Sequence, residues 1–284
     1  MNFLPKDYDL EAAWKKVSGP FEHPDFVTHA NYLHFMCESS KNLELKCNLD
    51  INKQITLDKR VSQKIKLIEL TLENLKEEKR NIDKYPDYAV VCVSWVPVKS
   101  YYLIFNLLIL LQYLKSTSNT YLTINHSGLF DSLREALEKK EFTFNIDYFN
   151  QAHSVEEIWK WKIPKWENVK RNSADEDLRY KQIMKKLALY SVEDFKRNKK
   201  IKRLVGENKV QFSKSKINLS EFLYWYRIKA NYRDMEFIDK GVNINEFVSF
   251  YNDYFELSMN FYLAMKECIN SLSQKRANKI LLNL

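Results

Sequence analysis

The chain has little glycine and proline, with four glycines and six prolines among its 284 residues. Folds with many strands need such residues at their turns, so this scarcity favours helices joined by polar loops. The four cysteines lie far apart and form no C-x-x-C pair. Their spacing therefore indicates neither a disulfide framework nor a cysteine-based metal site, and we expect reduced thiols.

The N-terminal residues lack the apolar stretch of a secretory signal, since Lys6, Asp7 and Asp9 lie among them. We therefore expect a cytoplasmic protein. His29 and His34 are five residues apart, whereas a helical zinc pair has its histidines four apart. The sequence predicts no metal site and no cofactor.

The most hydrophobic stretch covers residues 88–114. Pro97, Lys99 and Gln112 interrupt it, and its apolar runs are well short of the roughly 20 residues that span a bilayer. We therefore predict no membrane span, but a helix that is apolar on nearly all sides and lies in the core or also packs on a second subunit. Taken alone, residues 89–98 contain enough β-branched side chains to predict a strand. Because the surrounding segments have helical patterns, we predict a helix instead.

Several helices have clear signals in the sequence. Apolar residues recur three or four apart from 56 to 83, as one face of a helix requires, and the Tyr-Pro pair at 85–86 predicts its end. Asn218 and Asn243 each precede a glutamate by three residues, which is the reciprocal capping pattern of a helix start. The second of these starts opens a long aromatic-rich helix.

The formal charge of +8 is concentrated between residues 160 and 216. Such a basic stretch favours RNA or another nucleic acid as a partner, although a solvated helix face explains it equally well. The candidate nucleic-acid-binding residues are Lys181, Lys185, Lys186, Arg197, Lys199, Lys200, Lys202 and Arg203. Bases could stack on Trp159, Trp161 and Trp166, but we expect these rings to pack against the body of the protein.

Three short motifs follow one another along the chain. Residues 101–105 read Tyr-Tyr-Leu-Ile-Phe, and residues 126–129 read His-Ser-Gly-Leu. Residues 227–234 read Arg-Ile-Lys-Ala-Asn-Tyr-Arg-Asp and precede the long aromatic-rich helix. In this order the motifs resemble the HEPN superfamily, in the branch whose last motif is an arginine followed by an Ala-Asp-Tyr-like triplet.

The resemblance implies an all-α fold, with a HEPN-like helical bundle over residues 87–284. Residues 1–86 would form an N-terminal helical extension. The segment at about 150–216 is longer than a minimal domain of the family requires, so it resembles a basic helical insertion. The resemblance also implies a homodimer.

Nucleases of this family are similar in cutting RNA without a metal ion, with an arginine that holds the phosphate and a histidine that helps the 2′-hydroxyl attack. Two copies of the motif face each other in their dimers. Arg227 fits the first role, since a guanidinium is always charged and forks onto phosphate oxygens. Tyr232 stands at the histidine's position, and with an unperturbed pKa near 10 a phenol is a poor base at neutral pH. Enzymatic activity is therefore left open.

The resemblance and the helical spacing together define the candidate site. The candidate catalytic residues are Arg227, Asn231, Tyr232 and Asp234, with Arg233 as an adjacent contact to nucleic acid. Residues 227, 231 and 234 fall on one face of a helix. A structural interpretation is equally open, in which Arg227 and Asp234 form an ion pair and Tyr232 fills core space.

His126 and Tyr102 are accessory candidates. His126 could replace the missing base if the fold brings it near Arg227, or it could simply cap the following helix. The implied function is a HEPN-like nucleic-acid-binding protein, as a metal-independent ribonuclease or as an effector of a bacterial defence or toxin system. The rival is a catalytically inactive HEPN-like scaffold that dimerises and recruits a neighbouring protein. A structural helical protein is the third hypothesis.

Overall fold

Helices dominate the structure, a computed structural model that describes residues 24–51, 53–163, 175–232 and 243–283. The helices are α1 (Pro24–Ser39), α2 (Lys59–Lys84), α3 (Ala89–Cys92), α4 (Val96–Ser116), α5 (His126–Glu138), α6 (Asp147–Asn150), α7 (Val155–Lys160), α8 (Glu176–Asn198), α9 (Gly206–Ser213), α10 (Phe222–Tyr232) and α11 (Ile244–Ala277). The strands of these ranges are β1 (Leu45–Cys47), β2 (Phe142–Phe144), β3 (Ala152–Ser154) and β4 (Lys216–Asn218). The prediction of an all-α fold is confirmed.

Two antiparallel ladders join distant parts of the chain. β1 pairs with β2, so that Leu45 lies opposite Phe144. β3 pairs with β4, so that Ala152 lies opposite Asn218. The second ladder places the two ends of the basic segment side by side. The division of the chain into an extension, a domain and an insertion stays a prediction.

Helix α4 lies at the centre of the core. Among the described residues it is the helix whose length and composition would allow it to cross a membrane, but 83 % of its apolar window is buried inside the protein. Helices α2, α10 and α11 pack against it. The prediction of a core helix is therefore confirmed, and α3 shows that the residues before it are helical rather than extended.

Helix α2 matches its predicted range within a few residues. The side chain of Asp58 caps its N-terminus by accepting a hydrogen bond of 2.8 Å from the backbone N–H of Arg60. Its apolar stripe, which includes Ile68 and Leu72, is buried against the core. The helix ends at Lys84, because Pro86 pushes the residue before it out of the helical region.

The start of α10 also follows its sequence signal. Asn218 and Glu221 form the predicted reciprocal cap, although the first turn is a 3₁₀ turn, Leu219–Glu221. The buried carboxylate of Glu221 also accepts hydrogen bonds from Arg134 of α5 and from the indole N–H of Trp225. These contacts fix the direction in which α10 leaves the turn and passes across α4.

Helix α11 is the longest helix of the described chain and packs along α4. Asn243 caps its N-terminus by accepting a hydrogen bond from the backbone N–H of Asn245, which confirms the predicted helix start, while the reciprocal bond predicted for Glu246 stays a prediction. Near its other end the guanidinium of Arg276 donates three hydrogen bonds to backbone carbonyl groups, two of them at the C-terminus of α4. This contact ties the two core helices together.

One cluster of buried apolar side chains runs through the described chain. It includes Leu33 of α1, Ile68 of α2, Leu187 of α8 and Phe250 of α11. Helices from the N-terminal region and from the basic segment therefore share a core with α4 and α11.

Candidate functional site

The guanidinium of Arg227 lies among three tyrosine rings. Its Cζ atom is 4.8 Å from the ring centroid of Tyr101, 5.6 Å from that of Tyr102 and 5.8 Å from that of Tyr224. Its Nη1 donates a hydrogen bond of 3.1 Å to the hydroxyl oxygen of Tyr102. Ring faces attract a cation at these distances, so the tyrosines hold the guanidinium in place.

No carboxylate within the described ranges forms an ion pair with Arg227. Its Nε–H is buried and has no hydrogen-bond partner among the described residues. Buried polar groups are nearly always satisfied in folded proteins, and those that are not deserve an explanation. A guanidinium that is held by ring faces is suited to bind an anion through the N–H groups at its exposed end.

His126 reaches the same cluster from the start of α5. Its Nδ1 shares a hydrogen bond with the hydroxyl of Tyr101. Its ring packs against Phe105, with centroids 4.5 Å apart, and stacks on Tyr224 at 6.0 Å and 29°. The fold therefore brings His126 to the aromatic cluster that surrounds Arg227.

The environment of His126 favours its neutral form. Burial lowers the pKa of the imidazole, and the positive charge of Arg227 lowers it further. Burial raises the pKa of the Tyr101 hydroxyl, so this hydroxyl stays protonated at neutral pH. A neutral imidazole with one ring nitrogen bonded to Tyr101 can act as a base through Nε2, provided that Nδ1 carries the proton and donates it to the tyrosine oxygen.

The turn before His126 is held by its own hydrogen bonds. The side chain of Asn125 caps α5 by accepting a bond of 2.8 Å from the backbone N–H of Gly128. A Cβ atom at position 128 would lie 3.0 Å from that side-chain oxygen and 3.2 Å from Ile124 Cγ1. Glycine at this position therefore lets the cap close, and the closed cap sets the position of His126.

The structure brings three of the predicted site residues together: Arg227, His126 and Tyr102. Tyr232 ends α10, but its side chain and that of Asn231 lie outside the described residues, as do Arg233 and Asp234 entirely. The roles predicted for these four residues stay predictions, and so does the ion pair between Arg227 and Asp234.

Sequence reasoning missed the part that Tyr101 and Tyr224 play. Tyr224 and Arg227 are three residues apart on α10, so they share a helix face, and this signal was available from the sequence. Tyr101 sits beside Tyr102 in the apolar helix, but nothing in its sequence neighbourhood shows that its hydroxyl meets His126. Only the packing of α4 against α5 and α10 brings these groups together.

Three of the candidate basic residues have partners inside the protein. Lys181 pairs with Asp177, Lys185 donates a hydrogen bond of 2.6 Å to the backbone carbonyl of Trp161, and Lys186 lies over the ring of Tyr190. Trp161 packs against the core, as expected. Trp159 is half-exposed, and Trp166 lies outside the described residues.

The other basic candidates are exposed around the C-terminal end of α8. They are Arg197, Lys199, Lys200, Lys202 and Arg203. Within the described chain none of them forms an ion pair. We call them the α8 basic end.

The α8 basic end follows a helix that packs against α10. The ring centroids of Tyr190 on α8 and Tyr226 on α10 are 5.6 Å apart. The pKa of Tyr224 is raised by burial and also by the nearby charge of Asp194 on α8. Arg197 follows Asp194 by one helical turn, about 5 Å, so the basic end continues from the neighbourhood of Arg227.

The site contains the guanidinium of Arg227, the neutral imidazole of His126 and tyrosine hydroxyl groups, all of them packed on aromatic rings. A phosphate group is the ligand that this set of donors fits. Among the described residues no cluster of three histidine, cysteine or carboxylate side chains could hold a metal ion. No protein-family model, curated protein or solved structure matches this chain.

Proposed function

We propose that this protein binds RNA at the Arg227 cluster and cleaves it without a metal ion, as a HEPN-like ribonuclease. The observation that carries the proposal is the meeting of Arg227 and His126 on one aromatic cluster, although they are about 100 residues apart in the sequence. An arginine and a histidine are the two side chains that metal-independent RNA cleavage requires in the family that the sequence resembles.

In the proposed reaction Arg227 holds the non-bridging oxygens of one phosphate through the N–H groups at the exposed end of its guanidinium. Nε2 of His126 takes the proton of the adjacent 2′-hydroxyl as that oxygen attacks phosphorus. The bond from phosphorus to the 5′-oxygen breaks, and water protonates this leaving oxygen. The products are a 2′,3′-cyclic phosphate and a free 5′-hydroxyl, and the positive charge of Arg227 stabilises the charge that builds on the phosphate during attack.

His126 thereby takes the role that the motif histidine has in nucleases of the family that the sequence resembles. A tyrosine at position 232 then needs no catalytic function. The pKa of His126 supports the assignment, because an imidazole that loses its proton below the ordinary value is available as a base at neutral pH. The α8 basic end would bind neighbouring phosphates, with an affinity that falls steeply with salt.

The test is to incubate the purified protein with labelled RNA and DNA in EDTA and to measure cleavage and retention. Arg227→Ala should reduce cleavage at least about 100-fold, and Arg227→Lys should restore part of it, since charge remains but the fork does not. His126→Asn should reduce cleavage by about 100-fold or more while RNA is still retained. Every variant is first checked for native helix content.

Two variants away from the site serve as matched controls. Arg80 is an exposed arginine on α2, and burial lowers the pKa of His153 on β3 as it does that of His126. Arg80→Ala and His153→Gln should leave cleavage unchanged. Cleavage that survives Arg227→Ala would contradict the proposed site, and cleavage that EDTA abolishes would contradict the metal-independent mechanism.

A catalytically inactive HEPN-like scaffold is the second candidate, and Tyr232 in place of histidine favours it. In that case the wild-type protein would retain RNA, or a protein partner, without cutting. Light scattering at micromolar concentration tests the homodimer that the sequence resemblance implies. A monomer that still cuts RNA would show that the Arg227 and His126 of one chain are sufficient.

A further inference from the structure

A row of exposed apolar side chains leads away from Arg227 along α4 and α3. The exposed fractions are 38 % for Tyr102, 57 % for Trp95, 57 % for Val91 and 37 % for Tyr88. Large apolar side chains are exposed singly on most proteins, but a contiguous row of them marks a binding surface. We call this row the aromatic face.

Tyr88 ends a 3₁₀ turn, Pro86–Tyr88, Val91 lies in α3, Trp95 is the N-cap residue of α4 and Tyr102 lies two turns into α4. They follow one another at intervals of three, four and seven residues, which return to the same face. A turn joins α3 to α4, in which the Trp95 N–H donates to the Cys92 carbonyl, and α4 then begins with the bond from the Lys99 N–H to the Trp95 carbonyl, both 3.0 Å. Trp95 and Tyr102 are seven residues apart at the start of α4, so their rings are spaced by about 10 Å along this helix.

The aromatic face has a cation at each end. At one end Tyr102 accepts the hydrogen bond from Arg227 and lies beneath its guanidinium. At the other end the ammonium of Lys84 lies 4.9 Å from the ring centroid of the exposed Tyr85. Three carboxylates lie near the part of the face that contains Tyr88: Asp87 precedes it in the chain, and Glu77 and Glu78 of α2 act on the Tyr88 hydroxyl, although Glu78 is paired with Lys99. Cations beside exposed rings suit a ligand that alternates negative groups with flat apolar ones.

We propose that the aromatic face is a stacking surface for the bases of single-stranded RNA, and that it extends the Arg227 site toward Tyr88. This inference rests on the proposed function, because Tyr102 joins the face to the phosphate-binding arginine. Bases of any sequence stack on aromatic rings, while the phosphates between them pair with the cations at the two ends. A partner helix from a protein would instead favour a continuous aliphatic groove, which widely spaced rings do not supply.

The test measures binding of the full-length protein to labelled RNA whose 2′-oxygens are methylated, so that no 2′-hydroxyl can attack. One ligand is a dinucleotide and the other is a single strand of about 12 nucleotides, within the range of known single-strand sites. Trp95→Ala removes the central ring. Because this side chain is exposed, we expect the variant to fold. Trp95→Phe keeps a ring, and Leu70→Ala removes an exposed apolar side chain of α2 outside the face.

Trp95→Ala should weaken binding of the longer strand at least about fivefold, because one stacked base is lost, and should leave the dinucleotide unaffected. Trp95→Phe should keep most of the affinity, and Leu70→Ala all of it. Arg227→Ala should weaken binding of both ligands, because the arginine holds a phosphate in each case.

Equal binding of the longer strand by Trp95→Ala and Leu70→Ala would overturn the stacking surface, and the proposed function would stand if Arg227→Ala still weakened binding. Loss of affinity in Trp95→Ala but none in Arg227→Ala would support the stacking surface and refute the phosphate site. No binding by the wild-type protein would overturn both. A dimer that dissociates in Trp95→Ala while RNA affinity stays unchanged would make the face a subunit interface and overturn the proposal.

Discussion

Replacing Arg276 by alanine should loosen the contact between α11 and α4, the helix at the centre of the core. The guanidinium donates bonds of 3.0 Å from Nε to the Leu114 carbonyl, 2.8 Å from Nη2 to the Lys115 carbonyl and 2.9 Å from Nη1 to the Lys53 carbonyl. The last carbonyl groups of a helix have no partner within it and form the negative end of the helix dipole, which attracts a cation. Arg276 satisfies two of them on α4 at once.

The size of the effect follows from the surroundings of the three bonds. The two bonds to α4 are partly buried, and the third is exposed. A hydrogen bond from a charged donor contributes about 1.5 kcal/mol at the lower end of its range, and an exposed bond contributes little. We therefore expect Arg276→Ala to lower the free energy of unfolding by about 3 kcal/mol. For a chain of this length that corresponds to a decrease in Tm of roughly 5 °C.

Urea unfolding followed by circular dichroism measures this change. Lys275 is the exposed neighbour of Arg276, and Lys275→Ala serves as the control with an expected change of less than about 0.5 kcal/mol. Arg276→Lys should fall between the two, because one ammonium cannot reach all three carbonyl groups. If Arg276→Ala were no less stable than Lys275→Ala, the bonds to α4 would contribute nothing to stability, and this account of the contact would be wrong.

Three further predictions concern the site. Gly128→Ala should reduce cleavage more than it reduces stability, because the new methyl group presses on the Asn125 cap that places His126; equal cleavage would refute this. NMR titration of His126 should give a pKa below 6.5, and Arg227→Met should raise it, because the charge of Arg227 is removed. Since the unfolded chain binds a proton at this histidine more readily, the free energy of unfolding should rise with pH from that pKa to about 6.5. Tyr101→Phe should lower kcat about tenfold with little change in KM, since only the bond that orients His126 is lost; an unchanged kcat would contradict that role.

Local signals in the sequence predicted most of the helices, because the forces that form them act over a few residues. The apolar stripe of α2 and the caps at Asn218 and Asn243 each depend on neighbours three or four positions away. The strands could not be predicted in this way. Each has three residues, which is too short for an alternating pattern, and each gains its partner from residues far along the chain.

The candidate site was predictable only in part. The motifs identified Arg227 and His126 as candidates. Their proximity depends on the way in which α5 and α10 pack across α4, and the spacing of residues in the sequence does not predict how helices pack. The basic segment shows the same limit. Lys185 and Arg197 look alike in the sequence, but Lys185 is bonded to a backbone carbonyl while Arg197 is exposed.

The three tyrosine rings around Arg227 hold its guanidinium in place before an anion binds. No carboxylate in the described part of the chain has to release the guanidinium first, so an incoming phosphate meets a cation that is already in position. Because the side chain is already ordered, anion binding does not include the loss of side-chain entropy that ordering it would cost. The described residues form no ion pair with this guanidinium, so inorganic phosphate or sulfate should stabilise the protein against heat, with a shift that grows with the logarithm of the anion concentration. Such a shift should disappear in Arg227→Ala, so it would report that an anion occupies the site.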